Sequence, residues 1–487
     1  MKFDKFKIKR TLIPGLCLTV GYLIFNIIFF CVLSSAALLP GLYMFIIALV
    51  LLSFGGGIFW LVKTYRKLTR FIIGCILILC IIAAEIFGIW FINKGVDTYN
   101  TTEQNSKVEN AEVGIYVLRD DPATKIEDAK DYTFGILKDL DGDITEKAFD
   151  EIAKIIDKTP KHENYADIGE LLQALIDNTE IKAMLVNKSF LEILDEIDEY
   201  KESLDKIREI HTVIIKNNVS SSEVPLYLKD YFTMYISGID CGGSITRRSR
   251  SDVNILACVN VRTGQILLIS TPRDYYIPLS NSNGVPDKLT HAGIYGIEVS
   301  RKTIGMLYGV DIDYHFRVNF DGFKDIIDAL GGITVYSQQD FVSDGKYHYK
   351  KGMNTVNGEE ALMFSRERYH LIEGDRQRGK NQMEVIKGVI KKAVSSALLK
   401  NYTKVMEGIA GSFELSMPYE VFSGLIRNQI DVGPKWNVVS YAVNGTGASR
   451  KPYSLSTNAY VMLPDMDTVN HAKELIKQIK NGEIPKP

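Results

Sequence analysis

Three apolar stretches in the first part of the chain constrain this protein more than any other feature. Residues 12–33, 38–62 and 71–92 are each an almost unbroken apolar run, and Glu85 is the only charged residue inside them. A helix needs roughly 20 residues to cross about 30 Å of hydrocarbon, and each run reaches that length. A secretory leader would be one short run ending in a small-residue cleavage site, so the pattern predicts three spanning helices. The flanks set the orientation. Lys2, Lys5, Lys7, Lys9 and Arg10 precede the first run, and Lys63, Arg66, Lys67 and Arg70 separate the second from the third. The connection from Ser34 to Ala37 carries no charge. Basic flanks stay on the cytoplasmic side. The expectation is a multi-pass protein of the cell membrane with its N-terminus inside and everything from about Gly95 outside.

Composition adds little until the chain is divided. Lys and Arg number 57 and Asp and Glu 59, a formal charge of -2 that implies no partner by itself. The charged residues lie almost wholly beyond Lys94. The reading is a membrane anchor over 1–94, an extracytoplasmic accessory domain over 95–222, and a further extracytoplasmic domain over 223–487. Cys17, Cys31, Cys75 and Cys80 fall in the apolar runs, which leaves Cys241 and Cys258 outside. Two cysteines make no disulfide framework, and Cys258 sits in an apolar strand pattern, so both read as free thiols.

Between 100 and 221 the sequence predicts strands at 113–118 and 132–137, then helices at 145–158, 168–177 and 180–215. No cluster of His, Cys or paired carboxylates there suggests chemistry, and the charge reads as solvated helix faces. A spacer or interaction domain is expected. Beyond it, strands are predicted at 231–239, 253–261, 265–271, 312–319 and 333–336, with helices at 300–307 and 322–330. This is an α/β pattern, whose sites usually lie at the ends of the elements.

Strands 253–261 and 265–271 flank Arg262-Thr263-Gly264, a turn with Gly available for positive φ. A hairpin there brings Asp252 beside Arg273 and Asp274. Asp240 ends the preceding strand, and a loop of Gly, Ser and Arg joins it to Asp252. Two carboxylates converging beside an arginine suit a hard cation such as Mg²⁺, which takes few protein ligands and completes its shell with phosphate oxygens. Spacing alone favours turn or capping roles for both.

A second group follows at Arg366, Arg368, Asp375, Arg378 and Gln382. Asp375 is placed to cap a helix running through Met383 and Ile390. Arg378 and Gln382 then share a face of its first turns, where free N–H groups favour an anion. Arg366 and Arg368 share a face if their stretch is extended. Several guanidinium forks converging on one point suit a diphosphate; a solvated basic turn is the equal alternative.

Taken in order, the motifs resemble the LytR-CpsA-Psr family, and within it the capsule-biosynthesis CpsA type. They are Gly238-Ile239-Asp240, Ser251-Asp252, Asn260 through Thr263 to Gly264, Ser270 to Asp274, and Lys288 through His291-Ala292 to Tyr295-Gly296. Asp328 to Gly332, Asn357 through Glu360-Ala361-Leu362 to Arg366 and Arg368, and Gly374-Asp375 through Arg378 to Gln382 complete the set. The resemblance covers about 231 to the C-terminus. It implies an α/β fold: three N-terminal transmembrane helices, a small α+β accessory domain, and a mixed central sheet flanked by helices, with an apolar tunnel for a lipid chain. The implied activity is a phosphotransferase, moving a polyprenyl-diphosphate-linked glycan, capsular polysaccharide above all, onto peptidoglycan with Mg²⁺ or Mn²⁺. Asp240 and Asp252 then correspond to the metal pair. Arg273, Arg366, Arg368 and Arg378 correspond to the catalytic diphosphate clamp, with Gln382 and Asp375 supporting it and Asp274 and Lys288 at further substrate-binding positions. Arg247, Arg248 and Arg250 make the loop before Asp252 unusually basic for a stretch expected to be mobile; it either recruits the anionic donor or is merely solvated. Expected partners are the lipid-linked glycan, peptidoglycan, membrane lipid and other capsule-assembly membrane proteins. Nucleic acid is excluded because the arginines fall outside the cytoplasm. The rival classes are a lipid diphosphate hydrolase and a non-catalytic regulator of polymer production or chain length.

Overall fold

The computed structural model describes residues 2–63, 67–178, 180–219, 225–239, 242–394, 411–433 and 435–487. The chain forms two compact units, Met1–Asn100 with Pro225–Leu228 and Pro418–Lys435, and Thr101–Val224 with Lys229–Met417 and Trp436–Pro487.

In the first unit the apolar runs form α1 (Lys2–Ser35), α2 (Gly41–Val62) and α3 (Leu68–Asn105). Among the described residues these three helices are long and apolar enough to cross a membrane. Tyr22, Ile58, Val62 and Ile78 make their shared buried cluster. Glu85 is also buried, as a carboxyl on such a helix has to be. Two aromatic contacts explain why 418–435 belongs here. Tyr419 donates from its hydroxyl to the Ala36 carbonyl at 2.7 Å, and the Phe422 ring stacks on Tyr99 with centroids 4.4 Å apart.

The second unit contains two larger sheets. The first is five-stranded, in the order β3-β2-β4-β1-β5, from β1 (Val108–Leu118), β2 (Thr133–Ile136), β3 (Lys161–Asn164), β4 (Ala183–Asn187) and β5 (Ile207–Asn218). Alternation along β1 sends Ala111, Val113, Ile115 and Val117 into a core with Ile144, Ala148, Ile152 and Ile156 of α4 (Lys138–Ile156). The other face is covered by α5 (Ile168–Asp177) and α6 (Lys188–Asp195). The long helix predicted over 180–215 is not formed. Its charge pattern imitates a solvated helix, but Ala183–Asn187 is buried at every position and becomes a central strand. The β-branched run of 207–218 becomes the edge strand β5, and only α6 and α7 (Asp198–Leu204) remain helical.

The second sheet is six-stranded and mixed, built around β6 (Tyr231–Ile239), β7 (Ser251–Asn260) and β8 (Gln265–Thr271). These run antiparallel to one another; strand Tyr314–Val318 lies parallel to β6, and strand Asn437–Ala442 parallel to β8. β8 is buried at all its positions, as a strand covered on both faces must be. Leu256, Cys258, Leu267 and Ile269 pack on one side with helices Ile297–Tyr308 and Met466–Lys480. Cys258 is a buried free thiol; Cys241 lies outside the described residues.

The two sheets are joined by a shared core and a buried ion cluster. Leu171, Phe190 and Leu194 of the first part pack in one cluster with Leu279, Ile294 and Leu455 of the second. Arg317, on the strand beside β6, is buried between Glu109 of β1 (2.5 Å) and Glu414 (2.7 Å).

Candidate functional site

The hairpin of β7 and β8 forms with a register one residue from the expected one, Asn254 opposite Thr271 and Asn260 opposite Gln265. Extending that register sets Asp252 opposite Arg273. On the other side of β7 the ladder to β6 shifts between Gly238 and Ile239, leaving Asp252 as the extra residue. Such a bulge re-aims a side chain. The Asp252 carboxylate accepts from Arg273 Nη1 at 2.8 Å and from the Thr290 hydroxyl at 3.0 Å. Asp240 lies outside the described residues.

Arg273 is the hub. Besides Asp252 it meets Glu196 through Nη2 at 3.1 Å and Asp274 through Nε at 3.7 Å. Burial alone would lower its pKa, but these carboxylates outweigh burial and raise it. Lys288, also buried, stands 3.6 Å from Glu196 and 3.7 Å from Asp274. Arg250 meets Glu196 as well. One carboxylate thus holds three cations. Burial would raise the Glu196 carboxyl, yet Arg250, Arg273 and Lys288 bring it down to about 2. Glu196 stands at the junction of α6 and α7, in the part expected to carry no chemistry. Its local sequence gives no signal; the shared core behind α6 is what delivers it.

The basic loop before Asp252 is held in place, contrary to expectation. Arg247 bridges to Asn110 of β1, and Arg248 donates its backbone N–H to the Asn110 carbonyl at 2.9 Å. The side chains of Arg247, Arg248 and Arg250 face Glu192, Glu109 and Glu196, respectively. Carboxylates of the first sheet and its helices neutralise what the sequence presents as free positive charge.

Opposite Arg273 begins the helix Asp375–Ala393. Gly379 lets it lie on β8, since a Cβ there would stand 2.5 Å from the Ser270 hydroxyl. Asp375 is the first helical residue rather than the cap. Gly374 occupies the cap position with φ of 53°, and the Asp375 carboxylate pairs with Arg378 at 2.5 Å. Arg378 and Gln382 share a face as predicted, and with Asp252, Arg273 and Asp375 they line one polar cleft. The Gln382 amide also donates to the Ser365 carbonyl at 3.3 Å.

Arg366 and Arg368 do not line that cleft. Their stretch is not extended: Arg366 is the last residue of helix Gly358–Arg366. Its guanidinium lies 4.4 Å above the Phe320 ring, and that of Arg368 lies 4.6 Å above Tyr369. Between them the buried Glu367 accepts the backbone N–H groups of Arg368, Tyr369 and His370.

A Ser-His-Asp grouping nearby is structural. Asp287 and Ser454 both approach Nδ1 of His291, at 2.7 and 3.0 Å, and all three are buried. A hydrolytic triad needs the serine on the other ring nitrogen and open to substrate. The motif at Lys288 to Ala292 therefore serves to fix the turn that carries Lys288 and Thr290.

For a divalent cation, the fit rests on Asp252. Each of its oxygens accepts one hydrogen bond and keeps further acceptor capacity. Among the described residues no group of three or more His, Cys, Asp or Glu side chains could cage a metal. This donor set suits a hard ion held mainly by water and phosphate oxygens.

The LytR_cpsA_psr family model matches residues 170–477. A polyisoprenyl-teichoic acid–peptidoglycan teichoic acid transferase TagU of Bacillus cereus is 32% identical over 214 residues, covering 44% of this chain and 69% of the relative. The protein of the same name from Bacillus subtilis is 30% identical over 250 residues, 51% of this chain and 79% of the relative. The crystal structure of B. subtilis TagV is 25% identical with a TM-score of 0.43, covering 53% of this chain and 100% of that one.

Proposed function

The chain belongs to the LytR_cpsA_psr family, and from that premise we propose that it transfers a polyprenyl-diphosphate-linked glycopolymer to peptidoglycan. The observation carrying this reading is the cleft lined by Arg273, just past β8, and by Arg378 and Gln382 of the helix, with Asp252 paired to Arg273. Phosphoryl transfer depends chiefly on positioning and on neutralising the transferring oxygens, and these side chains supply both. A hydroxyl of the wall glycan attacks the glycan-side phosphorus. A new P–O bond forms, the bond to the bridging oxygen breaks, and polyprenyl monophosphate leaves with that oxygen. The hydroxyl proton passes to a carboxylate of the pair Asp240 and Asp252. Those two residues would also hold Mg²⁺ or Mn²⁺, which when bound neutralises diphosphate charge. Arg366 and Arg368 reach the donor by leaving their aromatic rests. In the same reading the N-terminus is cytoplasmic and the second unit extracytoplasmic.

The relatives' names carry teichoic acid where the CpsA-type resemblance leads to capsular polysaccharide. The cleft residues act on the diphosphate that both donors share, so the reading is stated for that end. The test uses the full chain in nanodiscs with Mg²⁺, peptidoglycan fragments and either donor. Arg378→Ala should lower transfer by about 10²–10³-fold, the usual loss for one transition-state donor, with the unfolding midpoint unchanged. Diphosphate cleavage that ignores the acceptor would make the protein a hydrolase. Tight donor binding without turnover would make it a regulator.

A further inference from the structure

We propose that Glu196 is a substrate-displaced residue: its carboxylate occupies the seat of one phosphate group of the donor, and the donor's diphosphate displaces it on binding. This rests on the diphosphate reading of the cleft and adds to it a role for the N-terminal part of the second unit.

Charge balance carries the first step. Arg250, Arg273 and Lys288 already meet Glu196, Asp252 and Asp274, and Arg250 meets Glu192 as well, so each of the three cations is already engaged by carboxylates. A further anion entering that cluster leaves a negative charge unmatched, which is costly away from bulk water. One carboxylate has to give way.

Geometry selects which one. Asp252 is fixed by Arg273 on one oxygen and Thr290 on the other. Asp274 follows directly on Arg273 in the turn after β8. Asp375 rides on the same helical turn as the arginine it pairs with. Glu196 reaches in from a different sheet's helices, on a longer side chain that remains a quarter exposed. Its contacts to Arg250, Arg273 and Lys288 are charge-assisted ones that a phosphate group reproduces with more oxygens.

Selectivity follows from what each anion gains. A monophosphate exchanges one anionic group for another on the same cations. A diphosphate makes that exchange and also presents a second phosphate to Arg378 across the cleft. The donor therefore wins the seat, and the polyprenyl monophosphate product does not keep it. Return of Glu196 would favour product release.

The test titrates the full-length protein in nanodiscs with inorganic pyrophosphate and with orthophosphate by calorimetry, at fixed Mg²⁺. Wild type should bind pyrophosphate at least about 100-fold more tightly than orthophosphate. Glu196→Gln should tighten pyrophosphate and orthophosphate alike by about tenfold, a change of about 1.4 kcal/mol, because neither then has a carboxylate to displace. Glu196→Ala should tighten both anions in the same way, because the charge matters rather than the shape. Weakened or unmoved affinities in both variants overturn the role of Glu196 while leaving the diphosphate site standing. Wild type that binds neither anion overturns the diphosphate reading itself.

Discussion

Two ion clusters join the same two parts of the second unit, and they are built in opposite ways. At Arg317 one guanidinium is shared by two carboxylates, Glu109 and Glu414, with all three side chains sealed from solvent. At Glu196 one carboxylate is shared by three cations, and its side chain stays a quarter exposed. The chemistry is the same and the surroundings decide its use. A sealed cluster cannot exchange partners, because any vacancy leaves a bare buried charge. A cluster touched by water can trade one anion for another. The first holds the two sheets together, and the second lies where an anionic substrate would compete.

The largest expected effect breaks the sealed cluster. Arg317→Met leaves Glu414 buried without its cation and leaves Glu109 to Arg248 at 3.4 Å, and removing one partner of a buried pair usually costs about 3–5 kcal/mol. Denaturant unfolding of the full chain measures it. A loss below about 1 kcal/mol would mean that water already enters the cluster and that the contrast with Glu196 is false.

Acidity separates the clusters next, with a smaller effect. Burial pushes the Glu414 carboxyl up to about 7, against the pull of Arg317. The folded form then binds its proton more tightly than the unfolded chain, whose value is near the ordinary 4.5. Stability from this group is present below 4.5 and is lost as pH rises through about 7. Glu196 has the reverse sign. Its folded value is about 2, so its contribution is present above 4.5 and lost as pH falls toward 2. Glu414→Gln should flatten the fall in unfolding midpoint between pH 4.5 and 7 while leaving the acid limb intact. If the acid limb disappears in Glu414→Gln instead, the two assignments are exchanged.

These clusters also mark how far the sequence could be read. Apolar length and flanking charge make α1 to α3 legible, because a spanning helix is specified by its own residues. The β7–β8 hairpin was legible because Arg262-Thr263-Gly264 is a local signal, although the register differs by one. Arg378 and Gln382 needed only a helix of the right period. The failures have a different origin. The 183–187 and 207–218 strands lie among charged residues whose spacing imitates a helix, and only their burial in a sheet reveals them. Asp375 pairs with Arg378 because Gly374, with positive φ, takes the cap. Glu196 and the docking of Arg247 to Arg250 depend on contacts across more than fifty residues of chain, which no local pattern encodes.

The smallest effect concerns arginines of a third kind. Arg366 is exposed and rests on the Phe320 face, a contact worth about 0.5–1 kcal/mol at such sites. To reach a diphosphate, Arg366 has to leave that ring, so the contact opposes binding. Phe320→Leu should therefore tighten pyrophosphate binding by about two- to fivefold, the same energy read as an affinity ratio. Weakening by more than about tenfold would show that the ring holds Arg366 in its working position. The clamp would then have been assembled around Phe320 from the start, with Arg366 no more exchangeable than Arg317.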